Sequence, residues 1–155
     1  MAFKINISSN EGKTWKLEAD AQGLNGKSLG DKVQGSEISP DLTGYELEIM
    51  GGSDSSGFPM YSKIEGIGLK GVILTKGWGM HKRPRREGKK KRSTPRGLRK
   101  RKTVRAKTIS NAVVQINLKV LKIGNKHLKD IFPDQNQQKE LKQKTPKEAV
   151  EIPAQ

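Results

Sequence analysis

The sequence predicts a mainly β protein: a small barrel-like domain of about six strands, a long basic arm inserted between strands, and a polar C-terminal tail. Several stretches alternate apolar and polar residues, which is the period of a half-buried strand. A dense run of cations interrupts this pattern, and the end of the chain lacks it. We therefore expect one domain over residues 1–132, including the basic arm 81–107. The tail, residues 133–155, is expected to be disordered or to become ordered only on assembly.

The first half of the chain contains three predicted strands. Residues 3–7 and 15–19 alternate on either side of a turn-forming segment, which predicts a hairpin. Residues 45–49 alternate again and form the third strand. Between them, Ser28 is predicted to cap a short helical turn over residues 29–33.

Glycines surround the next predicted strands. Residues 61–69 and 71–76 are expected to form two short strands, with Gly66, Gly68 and Gly71 marking bends of the kind that a small barrel needs. The arm is expected to end in another strand, because residues 104–108 alternate.

The clearest strand pattern covers residues 114–120. The apolar register then shifts by one residue at Leu121 and Ile123, as it does at a β-bulge. Residues 127–132 are expected to pack a short segment back against the domain.

The segment from Gly51 to Met60, GGSDSSGFPM, is the most distinctive loop. Paired glycines permit backbone angles closed to other residues, and an aspartate can accept hydrogen bonds from nearby amides. Two interpretations stay open: a tight turn that plugs one end of a barrel, or a loop that approaches a ribose-phosphate backbone. Neither is catalytic. The predicted structural turn comprises Gly51, Gly52, Asp54, Gly57, Phe58 and Pro59.

Residues 82–107 carry most of the charge of the protein. They contain fifteen Lys or Arg and one acid, so they account for +14 of the formal net charge of +15. Such a run has no apolar face, its charges repel one another, and its prolines and glycines break helices. The sequence therefore predicts an extended arm, joined at both ends to the β-domain.

A nucleic-acid backbone supplies the density of negative charge that this arm would neutralise. Arg is mixed with Lys throughout, which favours RNA, because Arg binds phosphate and stacks on unpaired bases. The alternatives are a localisation or heparin-like patch, a solvated loop, and a general nucleic-acid chaperone or DNA-compacting protein. Trp78 is predicted either to stack on a base or to cover the mouth of the barrel. The predicted RNA-binding residues are Trp78, His81, Lys82, Arg83, Arg85, Arg86, Lys89, Lys90, Lys91, Arg92, Arg96, Arg99, Lys100, Arg101, Lys102 and Arg105.

Little in the sequence favours an enzyme. There is no cysteine, the two histidines have no metal-spaced partner, and no phosphate-binding loop of the GxxxxGK[ST] type occurs. We expect no catalytic residues, metal, cofactor or small-molecule substrate. No apolar run approaches the ~20 residues that span a bilayer, so we expect a soluble, cytoplasmic protein without a membrane partner.

Two linked motifs are similar to a known family. GGSDSSGFPM at residues 51–60 and GVILTKGWGMHKRPRREGKKKRSTPRG at residues 71–97 resemble the e-type ribosomal protein six of the small subunit, found in archaea and eukaryotes. The resemblance implies a barrel-like domain bound to small-subunit ribosomal RNA beside neighbouring ribosomal proteins, in a structural role. Eukaryotic members continue into a long basic helix with a phosphorylated serine cluster. This sequence ends at Gln155 without one, which implies the archaeal form.

Overall fold

The structure, a computed structural model, describes residues 2–80, 96–133 and 135–136. These residues form seven β-strands, three single-turn 3-10 segments and one short α-helix. The strands are β1 (Phe3–Ser8), β2 (Thr14–Ala19), β3 (Lys32–Gln34), β4 (Glu46–Asp54), β5 (Leu69–Leu74), β6 (Lys100–Arg105) and β7 (Val113–Lys122). The 3-10 segments span Gln22–Leu24, Gly35–Glu37 and Pro40–Leu42, and helix α1 spans Leu128–Ile131.

Five strands form one mixed sheet in the order β2-β1-β7-β4-β3, and β5 and β6 form a separate two-stranded sheet. β1 and β7 are parallel neighbours, and the other pairs in both sheets are antiparallel. The first and last strands of the described residues therefore lie side by side within the sheet. The prediction of a mainly β fold is confirmed, whereas closure into a barrel stays a prediction.

Alternation along the strands builds the core. Ile5 and Ile7 on β1, and Ile116 and Leu118 on β7, are almost completely buried. The parallel register sets Ile5 opposite Ile116 and Ile7 opposite Leu118, so these side chains share one face of the sheet. Each contributes about 1.5–3 kcal/mol by leaving water. The core therefore lies on the face of the sheet that carries these buried Ile and Leu side chains.

The predicted bulge near the end of β7 is confirmed. Glu46 pairs with Lys122 and Leu47 with Val120, so Leu121 has no partner across the ladder. A second irregularity lies on β4, where Ile49 pairs with Leu118 and Gly51 with Asn117, so that Met50 is the extra residue. The bulge leaves the Met50 side chain 56% exposed.

The predicted helical turn over residues 29–33 is wrong. Residues 32–34 form β3 instead, because pairing Val33 with Leu47 buries both side chains. Ser28 does not cap a helix. Its backbone N–H donates to the Asp31 carboxylate at 2.7 Å, which closes a turn before β3.

The predicted strand over residues 61–69 is also wrong, since only residues 69–74 form a strand. Gly66 has a φ of +99°, which bends the chain. Backbone hydrogen bonds outside the strand ladders pair the groups around it. They include those from Lys107 N–H to the Ile64 carbonyl and from Ala106 N–H to the Gly68 carbonyl. This segment therefore packs on the chain after β6 without continuing a sheet.

The end of the domain packs back as predicted, with Leu128 buried at the start of α1. The Tyr45 hydroxyl donates to the Lys126 carbonyl. Burial, and secondarily the negative charge of Asp130, raises the pKa of Tyr45. The Gln135 side chain then bonds both the N–H and the carbonyl of Lys16 on the outer edge of β2. Residue 134 and residues 137–155 lie outside the described residues.

Candidate nucleic-acid interface

The end of the predicted arm forms one strand of a two-stranded hairpin. β5 pairs with β6, setting Leu74 opposite Lys100, Ile73 opposite Arg101 and Val72 opposite Lys102. We call residues 69–74 and 96–105 the basic ribbon. A strand was predicted over residues 104–108; β6 lies earlier, at Lys100–Arg105, and overlaps the prediction only at Val104 and Arg105.

The Lys and Arg side chains just before β6 and along its first half point into solvent. Its five predicted RNA-binding residues between positions 96 and 102 are all exposed: Arg96, Arg99, Lys100, Arg101 and Lys102. No carboxylate of the described chain forms an ion pair with any of them. The nearest acid in sequence, Glu87, lies outside the described residues. Five uncompensated charges on a short hairpin produce a strongly positive surface, which attracts polyanions.

Arg105 differs from these five residues. It is buried, and its Nε donates to the Asp54 carboxylate at 3.2 Å while its Nη1 donates to the Ile67 carbonyl at 3.1 Å. The other Asp54 oxygen accepts the backbone N–H of Phe58 at 2.8 Å. Arg105 therefore joins the root of the basic ribbon to the end of β4. Two of its guanidinium nitrogens are thus bonded inside the protein, and the RNA contact predicted for Arg105 stays a prediction.

Lys107, the last residue of the predicted arm, is also paired inside the protein. Its ammonium lies 3.0 Å from the Glu65 carboxylate. The hydrogen bond and the charge of Lys107 lower the pKa of Glu65. The free cations of the described arm thus end at Lys102.

The segment from Gly51 to Met60 is only partly a turn. β4 continues to Asp54, so the two glycines lie within a strand, and the turn itself centres on Gly57 at a φ of +82°. Asp54 N–H bonds the Phe58 carbonyl and Met60 N–H bonds the Gly52 carbonyl, which folds the segment back along β4. The Asp54 side chain also accepts the Phe58 N–H, as predicted for an aspartate that holds a turn.

The expected reason for the paired glycines is wrong, because neither Gly51 nor Gly52 has a positive φ. Lack of room for a side chain explains Gly52. A Cβ on Gly52 would lie 2.6 Å from the Gln115 carbonyl oxygen and 2.9 Å from the Met60 sulfur. At Gly51 the nearest atom would be the Asn117 amide nitrogen at 3.9 Å, which is an ordinary contact. Gly52 is needed where the folded-back segment and β7 both approach β4.

Gly52→Ala is therefore expected to lower the free energy of unfolding by about 1–3 kcal/mol, the usual cost of overpacking. Gly51→Ala is the matched control, and it should change stability by less than about 1 kcal/mol. Urea unfolding of the two variants and the unchanged protein measures both effects. Equal losses for the two variants would show that close approach does not select glycine at position 52.

Trp78 lies in a tight turn after β5. Its ring stacks on that of Tyr61, with centroids 4.7 Å apart and planes 15° from parallel, and 51% of Trp78 stays exposed. Both aromatic residues border a cavity of about 290 Å³ beside β4. Tyr61 was not among the predicted site residues, since nothing in the sequence pattern indicates that a residue seventeen positions before Trp78 would contact it.

The remaining predicted RNA-binding residues lie outside the described part of the chain. They stay predictions: His81, Lys82, Arg83, Arg85, Arg86, Lys89, Lys90, Lys91 and Arg92. In the described ranges, no group of three or more His, Cys, Asp or Glu side chains could hold a metal ion, and no helix is long and apolar enough to cross a bilayer.

Comparison with known proteins decides the family. Residues 3–133 match the family model described as Ribosomal protein S6e. The chain belongs to this family. The S6e match spans all seven strands and both sequence motifs, and S6e proteins are structural, non-enzymatic components of the small ribosomal subunit.

Archaeal relatives agree with this assignment. The chain is 40% identical over 135 residues to the small ribosomal subunit protein eS6 of Methanothermobacter thermautotrophicus, covering 85% of this chain and 96% of the relative. It is 40% identical over 121 residues to the protein of the same name in Methanocaldococcus jannaschii, covering 78% and 82%. For that of Nanoarchaeum equitans, identity is 37% over 131 residues, covering 83% and 88%.

Proposed function

We propose that this protein binds small-subunit ribosomal RNA through its basic arm and thereby supports subunit assembly and translation, beside neighbouring ribosomal proteins in the cytoplasm. The supporting observation is the set of five exposed cations between positions 96 and 102 of the basic ribbon, which pair with no described carboxylate. The names of the relatives, small ribosomal subunit protein, point to the same particle.

The anchoring of the basic ribbon supports this proposal. Besides the bond between Arg105 and Asp54, the Arg105 N–H donates to the Pro59 carbonyl and the Tyr61 N–H donates to the Arg105 carbonyl. A rooted hairpin loses less conformational entropy on binding than a free tail, which favours affinity. The interface would consist mainly of phosphate contacts, which position a protein on RNA without reading its sequence.

Purified full-length protein is expected to co-sediment with archaeal small subunits and to bind their RNA with a steep dependence on salt. If six or more phosphates are neutralised, affinity should fall by about a thousandfold or more between 50 and 200 mM salt. Filter binding across a potassium chloride series measures this slope. Equal binding at low and high salt would contradict the electrostatic proposal.

Competition with duplex DNA at physiological salt tests the alternative. A ribosomal RNA-binding protein should keep its RNA when an equal concentration of DNA phosphate is added. A general nucleic-acid chaperone or DNA-compacting protein should exchange the two freely. Free exchange, together with failure to sediment with small subunits, would favour that alternative.

A further inference from the structure

The stacked pair of Tyr61 and Trp78 presents an aromatic surface to solvent. Tyr61 covers one side of the Trp78 ring, and half of the Trp78 surface stays open. Large aromatic side chains contribute most when buried, so an exposed tryptophan with one covered side is typical of a surface that completes its packing on a partner.

The turn that carries Trp78 is held in place. Gly77 and Gly79 have φ values of +140° and +69°, and the Met80 N–H closes the turn on the Gly77 carbonyl. Met80 and Leu74 are both buried, and a Cβ on Gly79 would lie 3.1 Å from the Leu74 Cδ1. The position of Trp78 is therefore set by the end of β5 before any partner arrives, which reduces the entropy lost on binding.

The cavity beside the stacked pair suits a flat, partly polar ring. It measures about 290 Å³, and its lining includes Met50, Met60, Glu48 and Ser62. Methionine sulfur contacts aromatic rings favourably, and the bulge on β4 leaves Met50 exposed at this place. A carboxylate can accept a hydrogen bond from the amino edge of a base. Apolar walls with polar residues beside them, Glu48 and Ser62, match the faces and edge of a nucleobase.

We infer that Trp78, supported by Tyr61, stacks on an unpaired nucleobase of RNA at the end of the basic ribbon. This inference rests on the proposed function and adds a base contact to its phosphate contacts. Charge favours RNA over an apolar protein segment, because Trp78 lies in sequence between β5, which ends at Leu74, and the cationic run that begins at Lys82. The basic ribbon would then bind the phosphates, while the pair of Tyr61 and Trp78 binds a base.

The test separates the base from the phosphates. Full-length protein is titrated with a uridine decamer and with a decamer of abasic ribose units, which carries the same backbone without bases. Fluorescence anisotropy at fixed salt gives both affinities. The unchanged protein should bind the uridine decamer about tenfold more tightly, since stacking one base on an aromatic side chain is typically worth that much.

Three variants sharpen the result. Trp78→Leu should reduce the difference between the two decamers to about twofold or less, whereas Trp78→Phe should keep most of it, because only the latter stays aromatic. Ile123→Ala, at another exposed apolar residue, should keep all of it. Thermal unfolding verifies that all three variants are folded, as expected for exposed positions.

Two failures are distinguishable. If the unchanged protein binds small-subunit RNA with steep salt dependence but does not distinguish the decamers, or if Trp78→Leu keeps the difference, base stacking is overturned and the proposed function stands. If the protein binds neither small-subunit RNA nor either decamer, the proposed function fails as well. Equal decamer affinities in all variants would overturn the base contact and leave an apolar protein segment as the alternative occupant of this surface.

Discussion

Replacing Asp54 by alanine is expected to lower the free energy of unfolding by about 3–5 kcal/mol, because it leaves a buried guanidinium without its counter-charge. The Asp54 side chain is 2% exposed and that of Arg105 11% exposed, so water cannot take over the lost contact. The same change also removes the acceptor for the Phe58 N–H. Urea unfolding monitored by circular dichroism measures the loss.

Two comparisons isolate the cause. Asp31 is an exposed acid that also accepts a backbone N–H, so Asp31→Ala is the matched control and should cost about 1 kcal/mol. The double variant Asp54→Asn with Arg105→Met removes both charges and keeps an acceptor for Phe58. It should be more stable than Asp54→Ala. A loss at Asp54 no larger than that at Asp31 would show that the buried pair does not anchor the basic ribbon.

The strands that the sequence predicts well are those with a long, strictly local pattern. Residues on β1, β2 and β7 alternate over six positions or more, and the phase change at Leu121 is visible in the same pattern. β3 has three residues with one buried side chain, Val33, which is too short to produce a period. Its existence depends on pairing with β4, which a local pattern does not contain.

Only part of the candidate site was likewise predictable from local sequence. Clustered charge is a local property, so the basic run was evident from composition, whereas its division into free and internally paired cations was not. Arg105 pairs with Asp54 across 51 positions, and Trp78 meets Tyr61 across a turn whose geometry depends on Leu74 and Met80. Contacts of this kind form only when separate elements pack, so periodicity cannot predict them.

The need for Gly52 is a further example. Paired glycines in a sequence indicate special backbone angles or a close approach, and the pattern does not distinguish the two. Here the explanation requires the positions of Gln115 and Met60, which come from β7 and from the segment that folds back on β4. The motif was recognisable, but its physical reason depends on the tertiary structure.

Changing the five exposed cations between positions 96 and 102 of the basic ribbon to glutamine is expected to reduce RNA affinity by about a thousandfold at 0.1 M salt. Each neutralised phosphate contributes about 0.7 to the slope of log affinity against log salt for a single strand, so five lost contacts lower that slope by about 3 to 4. Filter binding over a salt series measures both quantities. The substitutions are Arg96→Gln, Arg99→Gln, Lys100→Gln, Arg101→Gln and Lys102→Gln, all at exposed positions.

Substitution is a better test than deletion, because removing residues 84–102 would also remove half of β6 and break its pairing with β5. A control variant changes five exposed lysines outside the basic ribbon and carries the same net charge: Lys4→Gln, Lys16→Gln, Lys32→Gln, Lys119→Gln and Lys126→Gln. If affinity depends on where the charges lie, this control should keep most of its binding and nearly its full salt slope. Equal losses in the two variants would mean that total charge alone attracts the RNA, and the basic ribbon would then have no special part in the interface.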